Sequence, residues 1–116
     1  MNPRPRVLVV EDEALISEML NDALSDDYEV VCADNVAQAL SAIRDQRIDV
    51  ILLDAYLHGE TGAAVGKHAE QTEVPLIWMT GDPDALVNLG VDASIVLRKP
   101  FDLQRLSETI AKARGL

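Results

Sequence analysis

Brief apolar runs, too short for helices, alternate along this chain with stretches whose apolar residues recur at helical spacing. Val7-Leu8-Val9-Val10, the first such run, is apolar at every position, so a strand made from it needs cover on both faces. Alternating strands and helices meet that need when right-handed crossovers lay helices on both sides of a parallel sheet. The expected architecture is therefore α/β, a doubly wound parallel sheet of five strands. In such sheets ligands bind beyond the carboxyl ends of the strands, where the strand order reverses.

The cycle can be followed along the sequence. After an arm from Met1 to Arg6 with prolines at 3 and 5, the first strand covers Val7 to Val10. Ile16, Met19, Leu20, Ala23 and Leu24 form the apolar face of a helix over Ala14 to Ser25. Tyr28 to Cys32 reads as the second strand, and Asn35 followed by Gln38 is an N-cap signature opening a helix to Arg44. Asp49 to Leu53 is the most apolar strand. Gly59 and Gly62 mark a loop, Ala63 to Gln71 a modest helix, and Val74 to Met79 the fourth strand. A short helix over Asp84 to Leu89 precedes a fifth strand, Ser94 to Leu97. The last helix starts with Asp102 as N-cap and buries a stripe of Leu103, Leu106, Ile110 and Ala113.

At 116 residues the chain has the length of one domain with one shared core, expected to span residues 1–116 without an output domain. Its net charge of -10 disfavours binding to nucleic acid phosphates or anionic lipid. The single cysteine, Cys32, can form no internal disulfide and reads as a small buried hydrophobe. No apolar stretch has the length of a membrane span or the form of a signal peptide, so a cytoplasmic, monomeric protein is expected.

The polar residues of interest fall where the parallel-sheet rule puts a site: Glu11 and Asp12 after the first strand, Asp54 after the third, Thr80 after the fourth and Lys99 after the fifth. Each has an ordinary explanation alone. Acids at a helix N-terminus suit the macrodipole, Asp is common in turns, Thr80-Gly81 is an unremarkable dipeptide and a single lysine is normally solvated. Together they make a different case. Glu11 and Asp12 offer hard oxygen ligands for Mg²⁺. Asp54 can act as a carboxylate nucleophile, Thr80 as a positioning donor, and Lys99 as a cation beside phosphate oxygens, with Pro100 a candidate for a cis bond. Three crowded carboxylates raise one another's pKa unless a cation intervenes.

The stretch Val7 to Glu13, Tyr28 to Val31, Val50 to Asp54 followed by Gly62, and Lys99-Pro100-Phe101 resemble the response-regulator receiver domains of two-component signalling over essentially the whole chain. The resemblance implies a flavodoxin-like fold with strand order 2-1-3-4-5. It also implies Asp54 as phosphoacceptor, Asp12 as a direct Mg²⁺ ligand, Glu11 acting through water and the Tyr56 carbonyl as a further ligand. Thr80 and Lys99 would contact the phosphoryl group, helped by the backbone N–H groups of Ala55 and Gly81. The implied partners are a histidine kinase or histidine phosphotransferase and a downstream protein target. Such a protein is no conventional enzyme; it phosphorylates itself from a donor and dephosphorylates itself.

Three departures from the family pattern stand out. Val96 occupies the position three before the lysine where an aromatic switch residue is usual, the segment between Thr80 and Lys99 is shortened by roughly one helical turn, and His58 replaces a frequent proline, which is expected to loosen its loop. Rival readings are weaker. An aspartyl phosphatase wants a second Asp where Tyr56 stands, and a dinucleotide-binding protein wants a glycine-rich turn after the first strand. A receiver-like module that no longer accepts phosphate is opposed by the intact Asp54, Thr80 and Lys99. His58 and His68 lack a convincing metal-ligand spacing, and Trp78 reads as core close to Thr80.

Overall fold

Five strands pair in parallel in the order β2-β1-β3-β6-β7, formed by β1 (Arg6–Val10), β2 (Glu29–Ala33), β3 (Val50–Asp54), β6 (Leu76–Thr80) and β7 (Val96–Arg98). Only the expected numbering shifts, because a two-stranded antiparallel ribbon, β4 (Tyr56–Leu57) and β5 (Glu60–Thr61), intervenes in the chain. The architecture comes from a computed structural model that describes residues 4–91 and 95–116. Ser94, expected to begin the last strand, lies outside the described residues, as does the tip of the N-terminal arm.

The helices are α1 (Ala14–Leu24), α2 (Val36–Asp45), α3 (Ala63–Thr72), α4 (Asp84–Asn88) and α5 (Leu103–Ala113). They split the core into two layers. Leu8, Val10, Ile51, Leu53 and Trp78 point to one face with Ala39, Ala42, Val65 and Ala69 of α2 and α3, while Val7, Val9, Val50, Leu52, Ile77 and Met79 point to the other with Leu20, Leu24, Leu106 and Ile110 of α1 and α5. Odd and even residues of each strand thus go to opposite layers, as the two-residue period requires. The expected caps form: Asn35 Oδ1 accepts from Gln38 N at 2.9 Å, and Asp102 Oδ1 from Arg105 N at 2.8 Å. Gln38 Oε1 reaches back to the Asp34 amide at 3.0 Å, one residue before the cap.

Glycine is required where α3 meets the sheet. A Cβ on Gly66 would come within 2.6 Å of the Trp78 ring, so the buried indole packs directly on the α3 backbone.

Three burial expectations are corrected. Met19 and Leu103 are 48% and 59% exposed, because the inward stripes of α1 and α5 narrow to Leu20-Leu24 and Leu106-Ile110 and leave both residues at the groove between the two helices. Cys32 is exposed rather than buried, since β2 is an edge strand and Ala14, Ser17, Glu18 and Asn21 of α1 line an open groove beside it.

Candidate functional site

Parallel pairing in register, with Val10 opposite Leu53, brings the residues that leave β1 and β3 to the same edge of the sheet. Glu11, Asp12 and Asp54 each place a carboxylate oxygen there, all within 4.8 Å of one another. Lys99 arrives from the end of the edge strand β7, one strand beyond β6: its amide donates to the Thr80 carbonyl at 2.9 Å, and the Lys99-Pro100 bond is cis. Its Nζ donates to Asp54 Oδ2 at 3.0 Å and to Glu11 Oε2 at 3.2 Å. Four residues separated by as many as 88 positions thus meet in one cluster.

The cluster is only partly neutralised, with three carboxylates facing one ammonium. Glu11 is 1% exposed. Burial first, and then the neighbouring Asp54 carboxylate, push its pKa up to about 7 against the pull of Lys99. Burial alone would lower the Lys99 pKa, but its hydrogen bond and charge contact with Asp54, joined by Glu11, outweigh that and hold it above the ordinary lysine range. The lysine therefore stays charged beside Asp54. Hard oxygen donors with surplus negative charge fit a divalent cation such as Mg²⁺. Among the described residues no other His, Cys, Asp and Glu group is so arranged, and neither His58 nor His68 belongs to this one.

Backbone donors around Asp54 differ from expectation. The Ala55 amide is committed to the sheet, donating to the Met79 carbonyl at 3.0 Å, while the Tyr56 amide turns onto Asp54 Oδ1 at 3.2 Å. Residue spacing could not separate these two neighbours, because only the pairing of β3 with β6 decides which amide joins the ladder. Thr80 stands at the end of β6, buried, with its hydroxyl engaged in a tight local turn: it donates to the Asp82 carbonyl at 3.1 Å and accepts from the Asp82 amide at 3.0 Å. Gly81 is exposed and has open space where a Cβ would project.

The loop after Asp54 has regular pairing that the sequence does not suggest. It forms the β4–β5 ribbon, with a turn at His58-Gly59, and three contacts tie it down. The His58 amide donates to Asp12 Oδ2, Glu60 Oε1 accepts from the Val36 amide at 2.8 Å, and the Gly62 amide donates to the Ala55 carbonyl at 3.0 Å. The His58 N–H, which a proline would lack, thus links the loop to Asp12. Gly62 lies so close beneath Asp54 that a Cβ would sit 2.9 Å from the Asp54 carbonyl oxygen.

Residues 7–111 match the family described as "Response regulator receiver domain". Among curated proteins, the sensory transduction protein LytT of Bacillus subtilis (strain 168) is 35% identical over 92% of this chain and 47% of its own length. The chain spans about half the length of the curated relatives it matches. Among solved structures, the Vibrio cholerae chemotaxis protein CheY4 aligns with a TM-score of 0.83 and 29% identity, covering 95% of this chain and 98% of that one. The receiver domain of the sensor histidine kinase PA1611 from Pseudomonas aeruginosa PAO1, which has magnesium coordinated in its active site cleft, has a TM-score of 0.86 over 97% of this chain and 99% of its own; at 24% identity it shows the shared fold alone. This chain belongs to the response regulator receiver domain family.

Proposed function

We propose that the protein is a Mg²⁺-dependent phosphorylation switch that takes a phosphoryl group from a histidine kinase or histidine phosphotransferase onto Asp54. The observation that carries the reading is the Asp54 carboxylate itself, nearly buried at the end of β3 and held between Lys99 and the Glu11-Asp12 pair. In the reaction an Asp54 oxygen attacks phosphorus, the bond from phosphorus to the donor's imidazole nitrogen or acyl oxygen breaks, and the electron pair leaves with the donor. Lys99 and the amides of Tyr56 and Gly81 would stabilise charge on the phosphoryl oxygens, with Thr80 as a hydroxyl donor once it releases Asp82. Asp12, Asp54 and the Tyr56 carbonyl would hold Mg²⁺ directly, and Glu11 through water. The ion would supply charge neutralisation between the carboxylates and the incoming phosphoryl group.

The donor's approach is served by Leu15, Met19 and Leu103, an exposed apolar patch on α1 and α5 flanked by Glu18 and Asp22. Burying such a patch suits a transient protein contact. With a net charge of -10, output passes through protein contacts and not through direct DNA binding by this domain. Val96 is β-branched and offers no ring to swing, so transmission runs through the Thr80–Leu89 segment. Incubating the protein with Mg²⁺ and a small acyl phosphate, then measuring intact mass, tests the core of this reading. One phosphate adduct is expected, absent in Asp54→Asn; full labelling of that variant would sink the assignment.

A further inference from the structure

Within the cluster the positive partners are divided unevenly. Lys99 serves Glu11 and Asp54, whereas Asp12 receives the backbone amide of His58. That amide is at the tip of the β4–β5 ribbon, 46 positions away in sequence, so the bond also fastens the loop carrying Tyr56 to the front of α1. We infer that the His58 amide acts as a built-in competitor of Mg²⁺ for Asp12, lowering metal affinity by stabilising the metal-free site. The inference rests on the Mg²⁺ reading given above.

The sign follows from linkage. A hydrogen bond to an ionised carboxylate is stronger than one to a neutral acceptor, and a carboxylate that shares its charge with a dication is the poorer acceptor. The His58 bond is therefore worth more before the metal binds than after. Any interaction that favours the unliganded state weakens the ligand by the difference.

The turn geometry makes the idea separable from folding. No described residue but Glu73 among the non-glycines has positive φ, whereas Gly59 has φ +76°. Negative φ at 58 followed by positive φ at 59 is the sign pattern of a type II turn, which favours proline at the first central position and glycine at the second. His58→Pro should thus keep the turn while deleting the N–H, and His58→Ala should keep the N–H while deleting the imidazole.

Calorimetric titration of the metal-free protein with MgCl₂ is the test. His58→Pro should bind roughly threefold or more tightly than wild type, the size expected when part of one charge-assisted hydrogen bond no longer opposes binding, and His58→Ala should match wild type. In the wild-type protein the His58 amide proton should move upfield as Mg²⁺ is added. Equal or weaker binding by His58→Pro overturns the inference while leaving the metal site standing, as does tightening in His58→Ala of the same size. Wild-type protein that binds no Mg²⁺ at millimolar concentrations overturns both the metal reading and the inference.

Discussion

Strand β3 and the β6-α4-β7 quarter of the molecule both deliver residues to the same site, but they are built very differently. β3 lies between β1 and β6, and Val50, Ile51, Leu52 and Leu53 are fully buried. β7 is a three-residue edge strand, α4 has five residues, and Val87 on it is 77% exposed. The nucleophile candidate is thus mounted on the densest part of the core, whereas Thr80 leads into the thinnest. The proposed switch, holding one carboxylate still while passing a signal onward, would benefit from that asymmetry, because low local stability is what lets a small contact bias a segment.

Core truncation gives the largest expected difference between the two regions. Leu52→Ala should destabilise by about 3 to 4 kcal/mol, since a fully buried leucine leaves both a transfer loss and a cavity. Val96→Ala, at a half-buried edge position, should lose about 1 kcal/mol. Urea midpoints at constant slope measure both, and equal losses would erase the contrast.

Glu11 gives the next effect, through pH. Its folded pKa of about 7 lies above the unfolded value of 4.5, so between them the folded protein holds the extra proton. Stability from this group is fully present below about pH 4.5 and is lost as pH rises through about 7, by roughly 3 kcal/mol in all. In EDTA, the difference in unfolding free energy between Glu11→Gln and wild type should therefore shift in the variant's favour from pH 5 to pH 8. A flat difference would show that Glu11 is not burdened as described.

Glycine positions sharpen the comparison further. Gly62→Ala must push a methyl against the Asp54 carbonyl and the Leu53 side chain, and should lose about 1 to 3 kcal/mol. Gly81→Ala meets open space and should change stability by less than about 0.5 kcal/mol. Thermal melts of the two variants, made side by side, read this directly.

The sheet and helices were legible in the sequence because apolar runs and helical periodicity are local signals backed by burial. Glu11, Asp12, Asp54 and Lys99 could be brought together from strand ends alone, since parallel pairing aligns those ends. What could not be read depended on neighbours distant in the chain. The exposure of Cys32 follows from β2 lying at the edge, beside an open groove along α1; the commitment of the Ala55 amide follows from the β3–β6 ladder. The β4–β5 ribbon has two-residue strands, too short to show a period, and the anchoring of His58 depends on Asp12 lying beside it in space. Leu103 and Met19 were misplaced because helical spacing gives a stripe but not its width.

The smallest expected effect concerns the Thr80 hydroxyl, which closes the turn to Asp82 by donating to its carbonyl and accepting from its amide. Neutral hydrogen bonds in a partly wet turn are worth about 1 kcal/mol or less each. Thr80→Ala should therefore barely move the global midpoint. Locally the consequence is larger in proportion, because α4 has only Ala85 and Leu86 buried and begins at Asp84, two residues beyond the turn. Hydrogen exchange should accelerate at Asp82 and through Leu89 in Thr80→Ala, with β3 amides unchanged, and Thr80→Ser should restore wild-type protection. Adding a phosphoryl mimic to the wild-type protein should perturb the same segment, since in the proposed reaction Thr80 releases Asp82 for a phosphoryl oxygen. If the exchange pattern of residues 80–89 is unaltered by both the substitution and the mimic, the turn is not the element that carries the signal away from Asp54.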